Sequence, residues 1–188
     1  MGRIVVTEFV SLDGVIEDPG GSENFEHSGW SFQISRGDEG DQFKLDETMA
    51  SEALLLGRRT YEGFAAAWPS REGEFAEKFN SMPKYVVSST LEEPDWTNST
   101  VISGDLRDEV EKIRTQHDGD IVVHGSAMLV QALLERDLVD EIRLMVFPVV
   151  LGGGKRLFGE TTDMKQLRLV ESKTVGDGVA IQTYQPVR

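Results

Sequence analysis

Short β-branched runs alternate with helix-forming stretches along most of this chain, and that alternation narrows the possible folds more than any other feature. Residues 3–11 (RIVVTEFVS) are mostly β-branched and apolar, the pattern of a strand buried on both faces. Residues 53–56 (ALLL), 84–88 (KYVVS), 98–102 (NSTVI) and 120–124 (DIVVH) repeat it more briefly. Helical stretches lie between them: 38–50, with Phe43, Asp46/Glu47 and Met49 setting opposite faces; Arg58 to Ala67, ended by Trp68-Pro69; and 72–80, broken by Met82-Pro83. Asp105 reads as an N-cap before Leu106, Val110 and Ile113, which recur at helical spacing. Ser126 to Glu135 is a further helix, with Met128, Leu129, Ala132 and Leu133 toward the core.

After residue 140 the pattern changes. Ile142, Leu144 and Val146 alternate along 140–147, and two strand-like runs, 166–175 and 178–186, flank Gly176-Asp177-Gly178, a strong hairpin signal. The expected fold is α/β: one central, mixed but mostly parallel eight-stranded sheet, flanked by about five helices, with a β-hairpin at the C-terminus. A length of 188 residues suits a single domain over 1–188. The polar stretch from Asp13-Gly14 to about Gly37 is long for a loop in such a domain, and loops of that length are often functional.

Charge and composition remove several functions. The formal net charge is −14, with 33 acidic and 19 basic residues. Nucleic acids and anionic membranes select basic faces, so neither is an expected partner. The chain has no cysteine, which excludes disulfides, thiolate metal sites and cysteine nucleophiles. His27, His117 and His124 lie far apart without ligand spacing, so no metal site is expected. The first ten residues read as a strand rather than a signal peptide, no run is long enough to span a membrane, and a cytoplasmic location is expected. The acidity is uneven. Nine acids fall in residues 17–47 against Arg36 and Lys44, whereas Gly57-Arg58-Arg59-Thr60 is a small basic island.

Three strand ends carry similar equipment: Gly57-Arg58-Arg59-Thr60, Ser88-Ser89-Thr90 and Gly125-Ser126-Ala127-Met128. Ligands of open α/β sheets bind beyond the carboxyl ends of strands, where helix N-termini offer free N–H groups to a phosphate. Each site alone also reads as an ordinary cap or a solvated helix start. Arginines at a helix N-terminus, however, oppose the dipole unless an anion joins them. Three such sites favour an extended phosphorylated ligand such as a dinucleotide. No G-x-G-x-x-G follows the first strand. Gly152-Gly153-Gly154-Lys155-Arg156 lacks Walker spacing and reads as a turn, and the absence of a Gly-x-Ser-x-Gly elbow disfavours a serine hydrolase.

Taken in order, these segments resemble the dihydrofolate-reductase-like fold. More specifically, they resemble the reductase (C-terminal) domain of bacterial bifunctional riboflavin-biosynthesis deaminase-reductases. The resemblance is carried by Val10-Ser11-Leu12-Asp13-Gly14-Val15-Ile16, Leu56-Gly57-Arg58-Arg59-Thr60-Tyr61, Ser88-Ser89-Thr90, Val123-His124-Gly125-Ser126, Leu138-Val139-Asp140-Glu141 and Pro148-Val149-Val150-Leu151-Gly152-Gly153-Gly154 before Leu157-Phe158. It implies NADPH as cofactor. Arg58, Arg59 and Thr60 would lie near the 2′-phosphate and pyrophosphate, and Ser88 and Ser89 would flank the adenosine. Gly125, Ser126, Ala127 and Met128 would bring N–H groups to the pyrophosphate, and Gly57, just before Arg58, belongs to the same cofactor-binding set. Phe9 and Ile16 would border the nicotinamide. The resemblance also implies a homodimer formed through C-terminal strands.

The deaminase half of the bifunctional enzymes carries a zinc signature with cysteines. With none here and a first strand at residue 3, a stand-alone reductase is expected. In dihydrofolate reductases a carboxylate on the first helix holds the pterin. Glu39 or Asp41 falls in that region, although an acid at a helix start also simply complements the dipole. Asp13 is a candidate for substrate contact or for an Asp-Gly turn. Trp30 is a candidate lid, substrate wall or dimer contact. The leading expectation is an NADPH-dependent reductase of a small heterocyclic or conjugated substrate, neutral or cationic near the acidic loop. The alternatives are the riboflavin-pathway pyrimidine reductase, acting on 5-amino-6-(5-phosphoribosylamino)uracil, and a catalytically silent nucleotide-binding dimeric module.

Overall fold

The computed structural model describes residues 1–161 and 163–188. Its strands are β1 (Arg3–Ser11), β2 (Ser51–Gly57), β3 (Lys84–Val87), β4 (Ser99–Ile102), β5 (Asp120–His124), β6 (Glu141–Phe147), β7 (Leu167–Val175) and β8 (Val179–Pro186). The helices are α1 (Gly37–Ala50), α2 (Arg58–Ala67), α3 (Glu74–Ser81), α4 (Leu106–Gln116) and α5 (Ala127–Glu135), with 3-10 turns at Trp30–Gln33 and Trp68–Ser70. The strands form one eight-stranded sheet in the order β4-β3-β2-β5-β1-β6-β8-β7. Pairings from β4 to β6 are parallel, while β8 runs antiparallel to both of its neighbours. The mixed, mostly parallel sheet and the C-terminal hairpin expected from the sequence are both present.

Alternate residues of β1 divide the core. Ile4, Val6 and Val10 pack with Val110 and Ile113 of α4 and with Leu129, Val130 and Leu133 of α5. Val5 packs on the other face with Leu54, Leu56, Tyr61 of α2 and Phe79 of α3. Phe9, also odd-numbered, joins Phe43 of α1 around Trp30, Met145, Phe147 and Ile181. Helices α1–α3 therefore cover one face and α4 and α5 the other. Each aliphatic side chain fully buried in these layers contributes about 1.5–3 kcal/mol.

Local signals set the element ends. The Asp105 carboxylate accepts from the N–H groups of Arg107 and Asp108 and caps α4 as expected. The hairpin turn rests on the start of α1, where a Cβ on Gly176, at φ +53°, would lie 2.1 Å from the Ser35 carbonyl oxygen. Lys84 is fully buried. Its ammonium donates to the carbonyls of Asn80, Met82 and Thr97 at 2.8, 2.9 and 2.8 Å and so closes the C-terminal end of α3.

Two helices differ from their sequence-based reading. The buried side of α1 carries Lys44, Glu47 and Thr48, while Met49 is 46% exposed. The sheet positions beneath α1 are polar, and Thr7 and Arg143 meet these charges there, so apolar periodicity misreads the helix. On α5, Met128 is 86% exposed rather than in the core, because it stands in the first turn at the sheet's edge of strand ends.

Candidate functional site

The carboxyl ends of β3, β2, β5 and β1 lie side by side, and β5 is followed by a helix on the face opposite to those after β1 and β2. Connections that part in this way open a crevice between neighbouring strand ends. The crevice brings the Gly57 and Gly125 segments together. Gly57 N–H donates to Ser126 Oγ at 2.9 Å, Ser126 N–H donates to Thr60 Oγ1 at 3.0 Å, and Ser126 Oγ donates to the His124 carbonyl at 3.0 Å. These bonds lace the N-termini of α2 and α5 to each other. Gly125 and Ser126 both adopt left-handed backbone, φ 52° and 58°. A Cβ on Gly125 would sit 3.0 Å from Thr60 Oγ1, a tight contact on left-handed backbone, and glycine avoids both costs.

The sequence assigned N–H donors to all four residues of Gly125-Ser126-Ala127-Met128, and the structure corrects that. Gly125 N–H is taken by Glu8 and Ser126 N–H by Thr60, so these two shape the turn. The first helical bond of α5 runs from Val130 N–H to the Ser126 carbonyl. Ala127 and Met128 therefore keep first-turn N–H groups without intrahelical acceptors, at the positive end of the helix dipole.

Next to this end, a cleft of 490 Å³ is lined by Arg58, Val87, Ser88, Ser89, Thr90, Ile102, Ser103 and Gly104. Arg58, after β2, and Ser88 and Ser89, after β3, thus converge from two adjacent strand ends. Among the described residues Arg58 pairs only with Glu62, one turn along α2, at 3.1 Å in an exposed contact worth little. Arg59 is exposed, does not line the cleft and has no ion-pair partner among the described residues. Ser88 Oγ accepts from the N–H groups of Thr90 and Leu91 and folds the turn that shapes the cleft's rim.

The remaining sequence candidates do not converge. Phe9 stacks edge-on against Phe147 on the α1 face, whereas Ile16 is buried in the cluster of the α5 face. Asp13 spends its carboxylate on the protein: its oxygens accept from Leu151 and Gly152 N–H and from Ser11 Oγ. The Ser11 hydroxyl and the Gly152 N–H hold it down to about 2. Asp13 is therefore the clasp that fastens the Gly152-Gly153-Gly154 turn to the segment after β1. Trp30 is 2% exposed, donates Nε1–H to the Glu17 carbonyl and packs on Phe147, so it is a core anchor of the long loop rather than a lid or a partner contact. Asp41 pairs with Arg36 at 2.5 Å in the open. Glu39 lines a different cleft of 270 Å³, in the other half of the sheet, with Phe43, Arg143 and Lys173. Neither acid on α1 reaches the crevice.

Three buried charged residues were missed, and one of them, Glu8, reaches the crevice. Glu8 is buried beneath the Gly125 turn, where Oε2 accepts the Gly125 N–H at 3.0 Å and Oε1 has no partner among the described residues. Burial raises its carboxyl well above the ordinary 4.5, despite the bond from Gly125. An acid inside an otherwise apolar strand was the available signal. Across the sheet, buried Lys44 donates to Glu47 Oε2 at 2.6 Å and to Thr7 Oγ1 at 3.0 Å. Burial alone would raise Glu47, but the neighbouring cations, Lys44 first, hold it below its usual value.

Glu8 yields a test by its sign. Its folded value lies above its unfolded one, so the folded state keeps a proton that the unfolded chain releases, and stability falls as pH rises above about 4.5. Glu8→Gln, neutral at every pH, should lack that decline. Urea midpoints of both proteins measured across pH check this, and parallel profiles would reject a buried neutral carboxyl.

Among the described residues, no helix is long and apolar enough to cross a membrane, and no group of three or more His, Asp or Glu is placed to hold a metal. The sheet order, its two helix layers and the laced strand ends define a dihydrofolate-reductase-like α/β protein. The family model of the RibD C-terminal domain matches residues 3–181, and the chain belongs to that family, a reductase-type domain of riboflavin biosynthesis. Two uncharacterised Bacillus subtilis (strain 168) proteins are similar over most of their length. YyaP is 30% identical over 97% of this chain and 94% of its own, and YwjB is 29% identical over 92% and 91%. Among solved structures, a putative riboflavin biosynthesis protein from Shewanella sp. PV-4 superposes with a TM-score of 0.80 at 24% identity, covering 99% of both chains. A pyrimidine reductase-like protein from Corynebacterium diphtheriae gives 0.68 at 13% identity, over 99% of this chain and 92% of that one. Dihydrofolate reductase from Enterococcus faecalis, complexed with NADP(H) and RAB-propyl, gives 0.59 at 13%, over 99% and 97%.

Proposed function

We propose that this protein is an NADPH-dependent reductase of a small heterocyclic or conjugated substrate. The observation that carries the reading is the pair of laced helix N-termini at Gly57 and Gly125, continuous with a cleft that holds Arg58. A dinucleotide with one additional phosphate suits that succession. The first-turn N–H groups of Ala127 and Met128 would hold its diphosphate. Arg58, with the hydroxyls of Ser88 and Ser89, would take the 2′-phosphate end. Gly125, Ser126 and Thr60 would fix the approach. NADPH, when bound, supplies the hydride, and the protein supplies alignment and the exclusion of water.

Calorimetric titration tests the binding half of this reading: NADPH is expected to bind more tightly than NADH, and a chain that binds neither is not this enzyme. Cofactor oxidation with a panel of heterocyclic acceptors tests the rest. Turnover only with the phosphoribosylamino pyrimidine would favour the riboflavin-pathway reaction, which the family membership supports. Tight binding without turnover on any acceptor would favour a silent nucleotide-binding module.

A second copy of this chain is the partner we propose. The supporting feature is β7, a nine-residue edge strand with Leu169 and Val170 half-exposed, and sedimentation analysis should give twice the chain mass.

A further inference from the structure

On the α1 face of the crevice, opposite Glu8, one side chain has the chemistry of a ligand contact and no partner. His124 ends β5 in register with Thr7 of β1. Its ring packs against Phe79, with centroids 5.3 Å apart, and Phe64, at 6.1 Å. These contacts fix the ring plane without using its nitrogens. Neither nitrogen makes a hydrogen bond among the described residues, and neither is sealed from solvent. The contrast with His117 is plain: its Nε2 lies 2.9 Å from the Tyr85 hydroxyl and its Nδ1 3.4 Å from Glu52. A half-buried imidazole with two idle nitrogens is an unfilled hydrogen-bonding position.

The surroundings limit what can fill it. Lys44 and Glu47 are buried against each other and against Thr7, so their charges are already matched. Burial and the Lys44 charge hold His124 down to about 3, which leaves the ring neutral. The ring therefore offers one N–H donor and one lone pair beside apolar Phe64. An ionised ligand group there would lose water and gain no free counter-charge. A flat neutral ring with an adjacent N–H and C=O matches the donor–acceptor pair.

We propose that His124 hydrogen-bonds a ring heteroatom of the substrate and selects planar, uncharged heterocycles. The proposal rests on the reductase reading for what is then done to the ring, but not for the binding itself.

The chain has three histidines, so the His124 imidazole resonances can be assigned by substitution. Titration with uracil and with lumazine, both uncharged planar heterocycles, should move the His124 signals saturably and leave those of His27 in place. His124→Phe keeps a ring against Phe64 and Phe79 and should weaken binding about tenfold or more, while His124→Gln restores part of it. NADPH affinity should be unchanged in both variants. If His124 does not shift with either heterocycle, or His124→Phe binds them as the parent does, the proposal falls. If NADPH still binds and is oxidised in that case, the reductase reading stands without it. A saturable His124 shift in a chain that binds no NADPH would instead sink the reductase reading and keep this site.

Discussion

Arg58→Glu is expected to weaken NADPH binding about a hundredfold, close to 2.7 kcal/mol, and to leave NADH within a factor of about three. Arg58 stands at the first position of α2, where the helix dipole disfavours a cation, and its one partner among the described residues is the exposed carboxylate of Glu62. A phosphate in the neighbouring cleft would resolve both features, because a bidentate guanidinium–phosphate pair is much stronger than an exposed ion pair. Arg59→Glu should cost much less, since Arg59 does not line that cleft. Calorimetry on each single variant with both cofactors separates the cases. Equal losses for NADPH and NADH would remove the 2′-phosphate role from Arg58, and a larger effect at Arg59 would move it there.

Lys84→Met should lower the stability of the fold by about 2–4 kcal/mol. The substitution keeps a long apolar side chain but removes the ammonium that three carbonyls share and that lies over the Trp96 ring. Each acceptor left unpaired in a buried place costs about 1–3 kcal/mol, partly offset because no ion then has to be desolvated. The loss should appear as a lower urea midpoint with an unchanged slope. A midpoint within error of the parent would mean that solvent satisfies those carbonyls. Lys84 lies in the β4–β3 half of the sheet, which also carries the Arg58 cleft, so the variant should show a lower melting temperature and unaltered cofactor selectivity.

Where a residue's role depended on its own neighbours in the chain, the sequence revealed it. Asp105 capped α4, Gly176-Asp177-Gly178 turned the hairpin, and Gly57 and Gly125 marked strand ends facing one crevice. Reading failed where a polar group was buried by something distant. Glu47 read with Asp46 as marking a face of α1, because nothing local shows that Lys44, Thr7 and Arg143 enclose it. Trp30 looked available in a polar loop, yet Phe147 and the Glu17 carbonyl enclose it.

By itself, the sequence determined the class of fold and the stations proposed for a cofactor: alternating apolar runs with helices between them have few ways to bury both faces of a sheet. Only the tertiary structure decided which groups at those stations remain free. Glu8 reaches Gly125 across 117 residues and Thr60 reaches Ser126 across 66. Those two bonds take the N–H groups that the strand-end motif seemed to offer, and they leave Ala127 and Met128 to meet a phosphate. Residue types set which hydrogen bonds are possible. Long-range packing selects among them, and the groups it leaves unpaired, such as the nitrogens of His124, are the ones a ligand can use.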